Sequence, residues 1–169
     1  LMYSLFQQLI KEVDRYKLCE LKKLASHTAP DRNSRSCGDI EIFKNSKLFE
    51  AFEIKLDKEI DNLMIDVAIE KINQFSPHRY FIVSTKEIKK SEELEIKNKI
   101  LKLKKNHGCE LIITEIFESV KFYLSIFNKL EDFLKIFSDN IFNDKELKII
   151  HKKEWESIYK NFSKEKQSA

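Results

Sequence analysis

The sequence predicts an α/β (α+β) fold, in which a mixed central β-sheet is flanked by helices. Two kinds of pattern predict it: long segments carry apolar residues at helical spacing, and shorter segments alternate or are apolar throughout, as strands do. The 169 residues include only 2 glycines and 2 prolines, which excludes collagen-like chains and most turn-rich β-barrels. A hydrophobic share of 42% suffices for one packed core, so we expect a single domain over residues 1–169.

The first part of the chain predicts a helix, a loop and a hairpin. Residues 2–25 have Leu, Val and Tyr side chains near one face and charged side chains elsewhere, which is typical of an amphipathic helix. Residues 27–38 are polar and include one proline and one glycine, so they predict a loop. Residues 39–43 and 48–56 predict two strands, and the short polar segment between them predicts the turn of a β-hairpin.

The middle of the chain predicts strands that alternate with helices. Residues 60–76 return to helical spacing and end before Pro77, and residues 80–84 are nearly all apolar, as in a strand that is buried on both faces. A lysine-rich helix over 86–106 and a strand over 111–115 follow. Strand, helix and strand in this order predict right-handed crossovers, which give the sheet its mixed character.

The last part of the chain predicts extra C-terminal helices, over 117–142 and 144–163. The first of them carries more Phe, Ile and Leu than one helix face needs, so we expect it to pack in the core or between two copies of the chain. The domain thus divides into a core at about 28–115 and a helical part at 117–163. Because the first residue is Leu rather than Met, the sequence leaves open whether the chain is a fragment of a longer one.

Composition narrows the function classes. The net charge of +3 is too small to indicate a nucleic-acid partner unless basic residues cluster. The three cysteines form no zinc-binding motif, and reduced thiols are typical of a cytosolic protein. No apolar run approaches the ~20 residues of a membrane span, and no signal-peptide pattern follows the apolar start. We therefore expect a cytoplasmic protein without a membrane partner.

The most informative segment joins Asp39, at the start of one predicted strand, to Glu53 and Lys55 on the next. Residues two apart in a strand share a face, so Glu53 and Lys55 project together, opposite Phe52 and Ile54. Asp39 can bring a second carboxylate close to Glu53, and a divalent cation relieves the repulsion between two carboxylates. Oxygen ligands favour Mg²⁺, with Mn²⁺ as a substitute, and an adjacent lysine can orient a water that attacks a phosphate.

The Glu-x-Lys pattern alone is weak in so charged a chain, where it occurs five times. Four copies lie in predicted helices or at a helix start, where solvated charges need no further explanation. Only the copy at 53–55 lies in a predicted strand that follows an Asp-bearing strand. A cross-strand ion pair on an exposed face is the alternative interpretation, but the position of this copy in the chain favours an active site.

Asp39, Glu53 and Lys55 lie in the segments GDIEIF and FEAFEIKLDKEI, which are followed by a helix and RYFIVST. These segments resemble the core of the PD-(D/E)XK nuclease superfamily, and within it they are most similar to bacterial type II restriction endonucleases. The resemblance covers about residues 28–86. It implies a restriction-endonuclease-like core in which Asp39 and Glu53 bind Mg²⁺, and all three residues are catalytic in cutting double-stranded DNA. It also implies a bacterial cytoplasmic enzyme that works as a homodimer on palindromic sites.

The choice of acidic residues is open at two points. The family places a proline before its metal-binding aspartate, whereas a glycine precedes Asp39. Pro30-Asp31 spells the family dipeptide but lies in the predicted loop, so Asp31 is the less favoured alternative. Family members often place a further acid on the preceding helix, and the sequence does not choose between Glu12 and Glu20.

Further residues near the predicted site are candidates for supporting roles. Arg32 and Arg35 lie in the predicted loop, and Lys44 and Lys47 lie in the hairpin turn, so all four are DNA-binding candidates. Glu41, two positions after the predicted metal-binding aspartate, is either a further metal ligand or a paired strand residue.

Two other functions remain open from the sequence. One is a repair, recombination or RNA-processing nuclease that uses the same site. The other is a non-catalytic DNA-binding or oligomerisation module that kept only the fold. The intact set of Asp39, Glu53 and Lys55 favours an enzyme over that module, because binding alone does not need these residues.

Overall fold

The structure of the chain is a computed structural model that describes residues 1–24 and 36–167, with side chains described up to residue 162. Its strands are β1 (Cys19–Leu21), β2 (Ile40–Lys44), β3 (Lys47–Lys55), β4 (Arg79–Ser84) and β5 (Glu110–Glu115). Its α-helices are α1 (Met2–Glu12), α2 (Asn62–Phe75), α3 (Glu93–His107), α4 (Ile116–Ser125), α5 (Leu130–Asn143) and α6 (Ile149–Gln167). These elements, within the described residues, confirm the predicted mixed sheet flanked by helices.

The sheet has the order β1-β2-β3-β4-β5. The first three strands pair antiparallel, and the predicted hairpin of β2 and β3 places Ile40 opposite Phe52. The strands β3, β4 and β5 pair parallel, with Glu53 beside Ile82. Parallel neighbours need a crossover connection, and α2 and α3 supply the two crossovers. The predicted alternation of strands and helices in the middle of the chain is confirmed.

Two hydrophobic cores lie on the two faces of the sheet. The α2 face carries the core between the sheet and the helices α2 and α3, which includes Ala51, Ile72 and Tyr80. The α1 face carries the core between the sheet and the helices α1, α4 and α5, which includes Phe6 and Phe52. Because successive residues of a strand point to opposite faces, β3 sends Ala51 to the α2 face and Phe52 to the α1 face. Burial of each large apolar side chain stabilises the fold by roughly 1.5–3 kcal/mol.

Helix α2, which borders the site described below, has well-defined ends. The Asp61 side chain accepts a hydrogen bond from Met64 N–H at 2.9 Å and so caps the N-terminus. At the other end, Ser76 adopts a left-handed backbone conformation (φ 50°) before the following proline, and the helix stops there. The helix predicted over 60–76 is therefore found at Asn62–Phe75.

The helix predicted over 2–25 is wrong beyond Glu12. The helix α1 ends there, a short 3₁₀ turn follows, and β1 joins the edge of the sheet. Leu18 adopts a left-handed backbone conformation (φ 65°), through which a right-handed helix cannot continue. Tyr16 and Cys19 are buried in the core on the α1 face, so tertiary packing and strand pairing outweigh the helical spacing.

The helix predicted over 117–142 is two helices. Residues 126–129 leave the helical conformation between α4 and α5. The break is held by Glu12, whose carboxylate accepts a hydrogen bond from Asn128 N–H at 2.9 Å. Because of the break, α4 and α5 both contact α1.

The last helix, α6, begins later than predicted. It starts at Ile149 rather than at residue 144, because the Asp144 carboxylate accepts hydrogen bonds from two backbone N–H groups that follow it and closes a turn. The indole N–H of Trp155 donates to Ser138 Oγ at 2.9 Å and holds α6 against α5. In the described part of the chain, no helix is long and apolar enough to cross a membrane.

Candidate active site

Asp39 lies immediately before β2, next to the part of β3 that carries Glu53. The pairing of Ile40 with Phe52, continued by one residue, places Asp39 opposite Glu53. Asp39 Oδ2 accepts a hydrogen bond from Ile54 N–H at 2.7 Å, which fixes the carboxylate beside β3. The two carboxylates therefore lie at the same end of the hairpin, as the sequence predicts.

Gly38 allows the chain to enter β2 close to β3. A Cβ atom at residue 38 would lie 2.7 Å from the Phe52 carbonyl oxygen, which is closer than side chains approach backbone atoms. Ser36 Oγ donates to the Gly38 carbonyl oxygen at 2.7 Å, and Cys37 is buried in the core on the α2 face. The absence of a side chain at residue 38 thus helps to position Asp39.

Glu53 is surrounded by three hydrogen-bond donors. Lys55 Nζ donates to Glu53 Oε1 at 2.5 Å, so Glu53 and Lys55 share a face as predicted. Lys71, from helix α2, donates to Oε2 at 2.9 Å. The Tyr80 hydroxyl, from β4, donates to the same oxygen at 3.2 Å. Each oxygen of the carboxylate is therefore bonded to an ammonium group.

The two carboxylates have different acid strengths. Burial by itself would raise the pKa of Glu53, but the hydrogen bonds from Lys55 and Lys71 outweigh it and lower that pKa below its usual value. Burial also raises the pKa of Asp39, and the hydrogen bond from Ile54 N–H opposes this effect. The nearby negative charge of Glu53 raises the pKa of Asp39 further, so the two carboxylates repel each other across the strands.

Asp39 and Glu53 are the two carboxylates from which the sequence predicts a divalent-cation site. Asp39 uses Oδ2 for the hydrogen bond from Ile54, and within the described residues its Oδ1 accepts no hydrogen bond. Carboxylate oxygens are the ligands that Mg²⁺ and Mn²⁺ prefer. At present the ammonium groups of Lys55 and Lys71 offset the negative charge at Glu53. No third His, Cys, Asp or Glu side chain completes a metal-holding group in the described ranges. The predicted Mg²⁺ site thus rests on two carboxylates and stays a prediction.

Of the DNA-binding candidates, the structure describes Lys44 and Lys47, which lie away from this site. Lys44 and Lys47 lie at the turn of the hairpin, and Glu53 follows Lys47 by six residues, roughly 20 Å along an extended strand. Lys44 Nζ also donates to the Arg15 carbonyl oxygen at 3.3 Å. Both lysines thus border the strand that carries Glu53 and Lys55, at its far end, and their contact with DNA stays a prediction. Arg32 and Arg35 lie outside the described residues, as does the alternative acid at position 31.

Neither acid proposed from the N-terminal segment joins the site. Glu12 accepts hydrogen bonds from Gln8 and Asn128 on the α1 face, so it lies on the other side of the sheet. Glu20 is exposed on β1, where it pairs with Phe43 near the hairpin turn.

Glu41 is the third acid on the α2 face. It pairs with Ala51 across the hairpin and is buried. Its carboxylate accepts a hydrogen bond from Cys37 N–H at 2.6 Å, and Lys22 forms an ion pair with the other oxygen. Of the two roles open from the sequence, the paired strand residue matches these contacts.

Lys71 and Tyr80 belong to the site and were not predicted. Both come from elements that are distant from Glu53 in the chain: the parallel pairing of β3 and β4 brings Tyr80 close, and the packing of α2 on the sheet brings Lys71 close. One signal was present in the sequence: Lys71 falls seven residues after Met64 and three after Ala68, on the apolar stripe of α2. A lysine on such a stripe indicates a buried acidic partner.

No protein-family model matches the chain, and no curated protein matches it. The functional inference therefore depends on the residues and their geometry.

Proposed function

We propose that the chain is a metal-dependent endonuclease that hydrolyses phosphodiester bonds of double-stranded DNA, and that it is a site-specific restriction enzyme of type II. One observation carries the proposal: Asp39, Glu53 and Lys55 converge at one end of the β2–β3 pair. Two carboxylates that repel each other, beside an ammonium group, form a set that can hold a divalent cation and a phosphate together.

Each residue has a distinct role in the proposed reaction. Asp39 and Glu53 hold Mg²⁺, or Mn²⁺ as a substitute, which when bound offsets the negative charge that builds up on the phosphate. Lys55 donates a hydrogen bond to the attacking water and orients it. The water adds to phosphorus in line with the P–O3′ bond and loses a proton to solvent. That bond breaks, O3′ leaves and takes up a proton from solvent, and the products are a 5′-phosphate and a 3′-hydroxyl, as the resemblance implies.

Access to the site supports these roles. The side chain of Lys55 is 33% exposed, whereas that of Glu53 is 13% exposed. DNA can therefore reach the ammonium from solvent while the carboxylate lies deeper, where charges interact more strongly than in water. Because its pKa is lowered, Glu53 is ionised at neutral pH and can bind a cation without first losing a proton.

The hairpin lysines contact DNA at a distance from the two carboxylates in this proposal. Lys44 and Lys47 lie roughly 20 Å from Glu53, which corresponds to about six phosphates along one DNA strand. We propose that they contact the DNA backbone away from the scissile phosphate, together with Arg32 and Arg35. Such contacts position the duplex but carry no sequence information.

A homodimer is part of the proposal. The helices α4 and α5 expose large apolar side chains, among them Phe117, Phe122 and Phe142, and exposed apolar patches mark interfaces. A two-fold dimer would present one site to each strand of a palindrome. The proposed location is the bacterial cytoplasm, and the three free, buried cysteines suit its reducing conditions.

A cleavage assay with metal removal tests the proposal. Phage or plasmid DNA is incubated with the protein in Mg²⁺, in Mn²⁺ and in excess chelator, and the new ends are sequenced. We expect 5′-phosphate ends at one recurring short sequence with either metal and none in chelator, with the active species sedimenting as a dimer. Undiminished cutting in chelator would refute the metal requirement. Ends without a common sequence would contradict site specificity, and an active monomer would contradict the dimer.

A further inference from the structure

Lys71 is the residue of the candidate site with the least obvious purpose. It is the only basic residue in α2, and it approaches Glu53 from the helix side of the sheet. Lys55 already neutralises the carboxylate through Oε1. Lys71 thus places a second ammonium on the same carboxylate, and holding another long side chain in place costs conformational entropy.

The three donors around Glu53 differ in how firmly they are attached. Lys55 lies two residues away on the same strand, so its ammonium stays close to Oε1 even if the strand shifts. Tyr80 is almost fully buried, and its rigid ring fixes the hydroxyl at Oε2. Lys71 reaches the same oxygen through a flexible four-carbon side chain that is 30% exposed. It is thus the donor that can leave Glu53 at the lowest cost, because Tyr80 keeps Oε2 hydrogen-bonded.

We propose that Lys71 is a displaceable counter-ion of Glu53, which gives up its place to a divalent cation and then contacts the scissile phosphate. The inference rests on the proposed function. Without a metal ion, Lys71 and Lys55 keep Glu53 ionised and its two oxygens oriented. When Glu53 binds a divalent cation, the like charge of the Lys71 ammonium opposes it, so Lys71 moves away from Oε2. The nearest large negative charge on a bound substrate is the phosphate, which an ammonium binds as a point charge.

The alternative role for Lys71 is a fixed tether between α2 and the sheet. The two roles predict opposite results when the ammonium is removed. A tether that is lost loosens Glu53 and weakens metal binding. A displaceable counter-ion that is lost removes a competitor, so metal binding becomes tighter even though the reaction becomes slower.

Titration calorimetry with Mn²⁺ distinguishes the two roles without any cleavage assay. The variants are Lys71→Met, which keeps the length without the charge, and Lys71→Arg, which keeps the charge. Lys99→Met is the matched control, because Lys99 is 26% exposed and pairs with Asp66 at 2.7 Å on another surface. We expect Lys71→Met to bind Mn²⁺ about threefold to tenfold more tightly than the wild type. Lys71→Arg and Lys99→Met should bind Mn²⁺ as the wild type does.

Cleavage kinetics test the second half of the inference. At saturating metal, kcat of Lys71→Met should fall about tenfold or more, while Lys71→Arg keeps most of it. Unchanged or weaker Mn²⁺ binding by a folded Lys71→Met, with thermal unfolding as the check, would overturn the counter-ion role. Tighter binding with unchanged kcat would overturn the phosphate contact. If the wild type binds Mn²⁺ but does not cut duplex DNA, the proposed function is wrong. The calorimetric comparison of Lys71→Met with the wild type then decides the counter-ion role by itself.

Discussion

Glu50 and Glu53 lie three positions apart on the same strand, and each is held by two basic side chains and a tyrosine hydroxyl. Glu50 points to the α1 face, where it forms an ion pair with Arg15 and lies 3.8 Å from Arg79. Tyr16 donates to it at 3.0 Å. The side chain is 1% exposed, so neither water nor a ligand reaches it.

Glu53 points to the α2 face, where its basic partners are Lys55 and Lys71 and its tyrosine is Tyr80. It is 13% exposed, and Asp39 lies across from it. The Glu53 cluster therefore differs from the Glu50 cluster in three ways. Its basic partners are lysines, its carboxylate is accessible, and a second carboxylate lies next to it.

These differences indicate what each cluster does. An arginine presents a planar, pre-organised group of donors, which suits a permanent ion pair in a buried place. A lysine is a mobile point charge, which suits a partner that must exchange one contact for another. Glu50 has the features of a structural contact that ties the 3₁₀ turn after α1 to the sheet. Glu53 has the features of a group that binds something from solvent.

The largest effect on stability is expected for Glu50→Gln. The substitution leaves Arg15 without its ionic partner and buries an amide in place of the carboxylate, while Arg79 keeps Glu110 at 2.7 Å, so the free energy of unfolding should fall by about 2–3 kcal/mol. Urea unfolding at neutral pH measures this loss. The control is Glu95→Gln on an exposed helix surface, which should change stability by less than about 0.5 kcal/mol.

The rate of DNA cleavage by Glu50→Gln is a second test of the comparison between the Glu50 and Glu53 clusters. After correction for the folded fraction, it should equal that of the wild type, because Glu50 lies on the other side of the sheet from Asp39 and Lys55. A specific loss of cleavage with normal stability would show that the two clusters have been assigned the wrong way round.

A smaller effect is expected for Gly38→Ala, which connects stability to the site. The new Cβ atom would meet the Phe52 carbonyl oxygen, so the chain must move, at a cost of about 1–2 kcal/mol. Because that movement displaces Asp39, cleavage should also fall about tenfold. Gly108→Ala is the control: it has a positive φ of 85° but no neighbour within 4 Å, so it should lose about 1 kcal/mol without any change in cleavage per folded molecule.

The order of elements was largely predictable because the signals are local. The strands β2, β3, β4 and β5 follow from alternation or short apolar runs, and the crossover helices follow from spacing. The strand β1 was missed because Leu5, Leu9, Val13 and Tyr16 continue a helical spacing that no glycine or proline interrupts. Its conformation depends on pairing with β2, a contact between residues far apart in the sequence.

The candidate site likewise has a part that local sequence patterns predict and a part that depends on tertiary packing. The shared face of Glu53 and Lys55 follows from the period of a strand, and the position of Asp39 follows from the hairpin. Lys71 and Tyr80 could not be assigned, since their approach to Glu53 depends on how β4 and α2 pack on β3.

The most direct test of the account measures cleavage and unfolding together for Glu53→Gln and Lys55→Ala, beside the controls Glu95→Gln and Lys97→Ala. Glutamine at position 53 keeps an acceptor for the tyrosine hydroxyl but removes the charge that holds a cation. Both site variants should cut duplex DNA about 10³-fold more slowly in Mg²⁺, bind it normally in Ca²⁺ band shifts, and unfold within about 1 kcal/mol of the wild type. Near wild-type cleavage by either site variant, with lowered stability, would make this cluster structural like that of Glu50 and contradict the account.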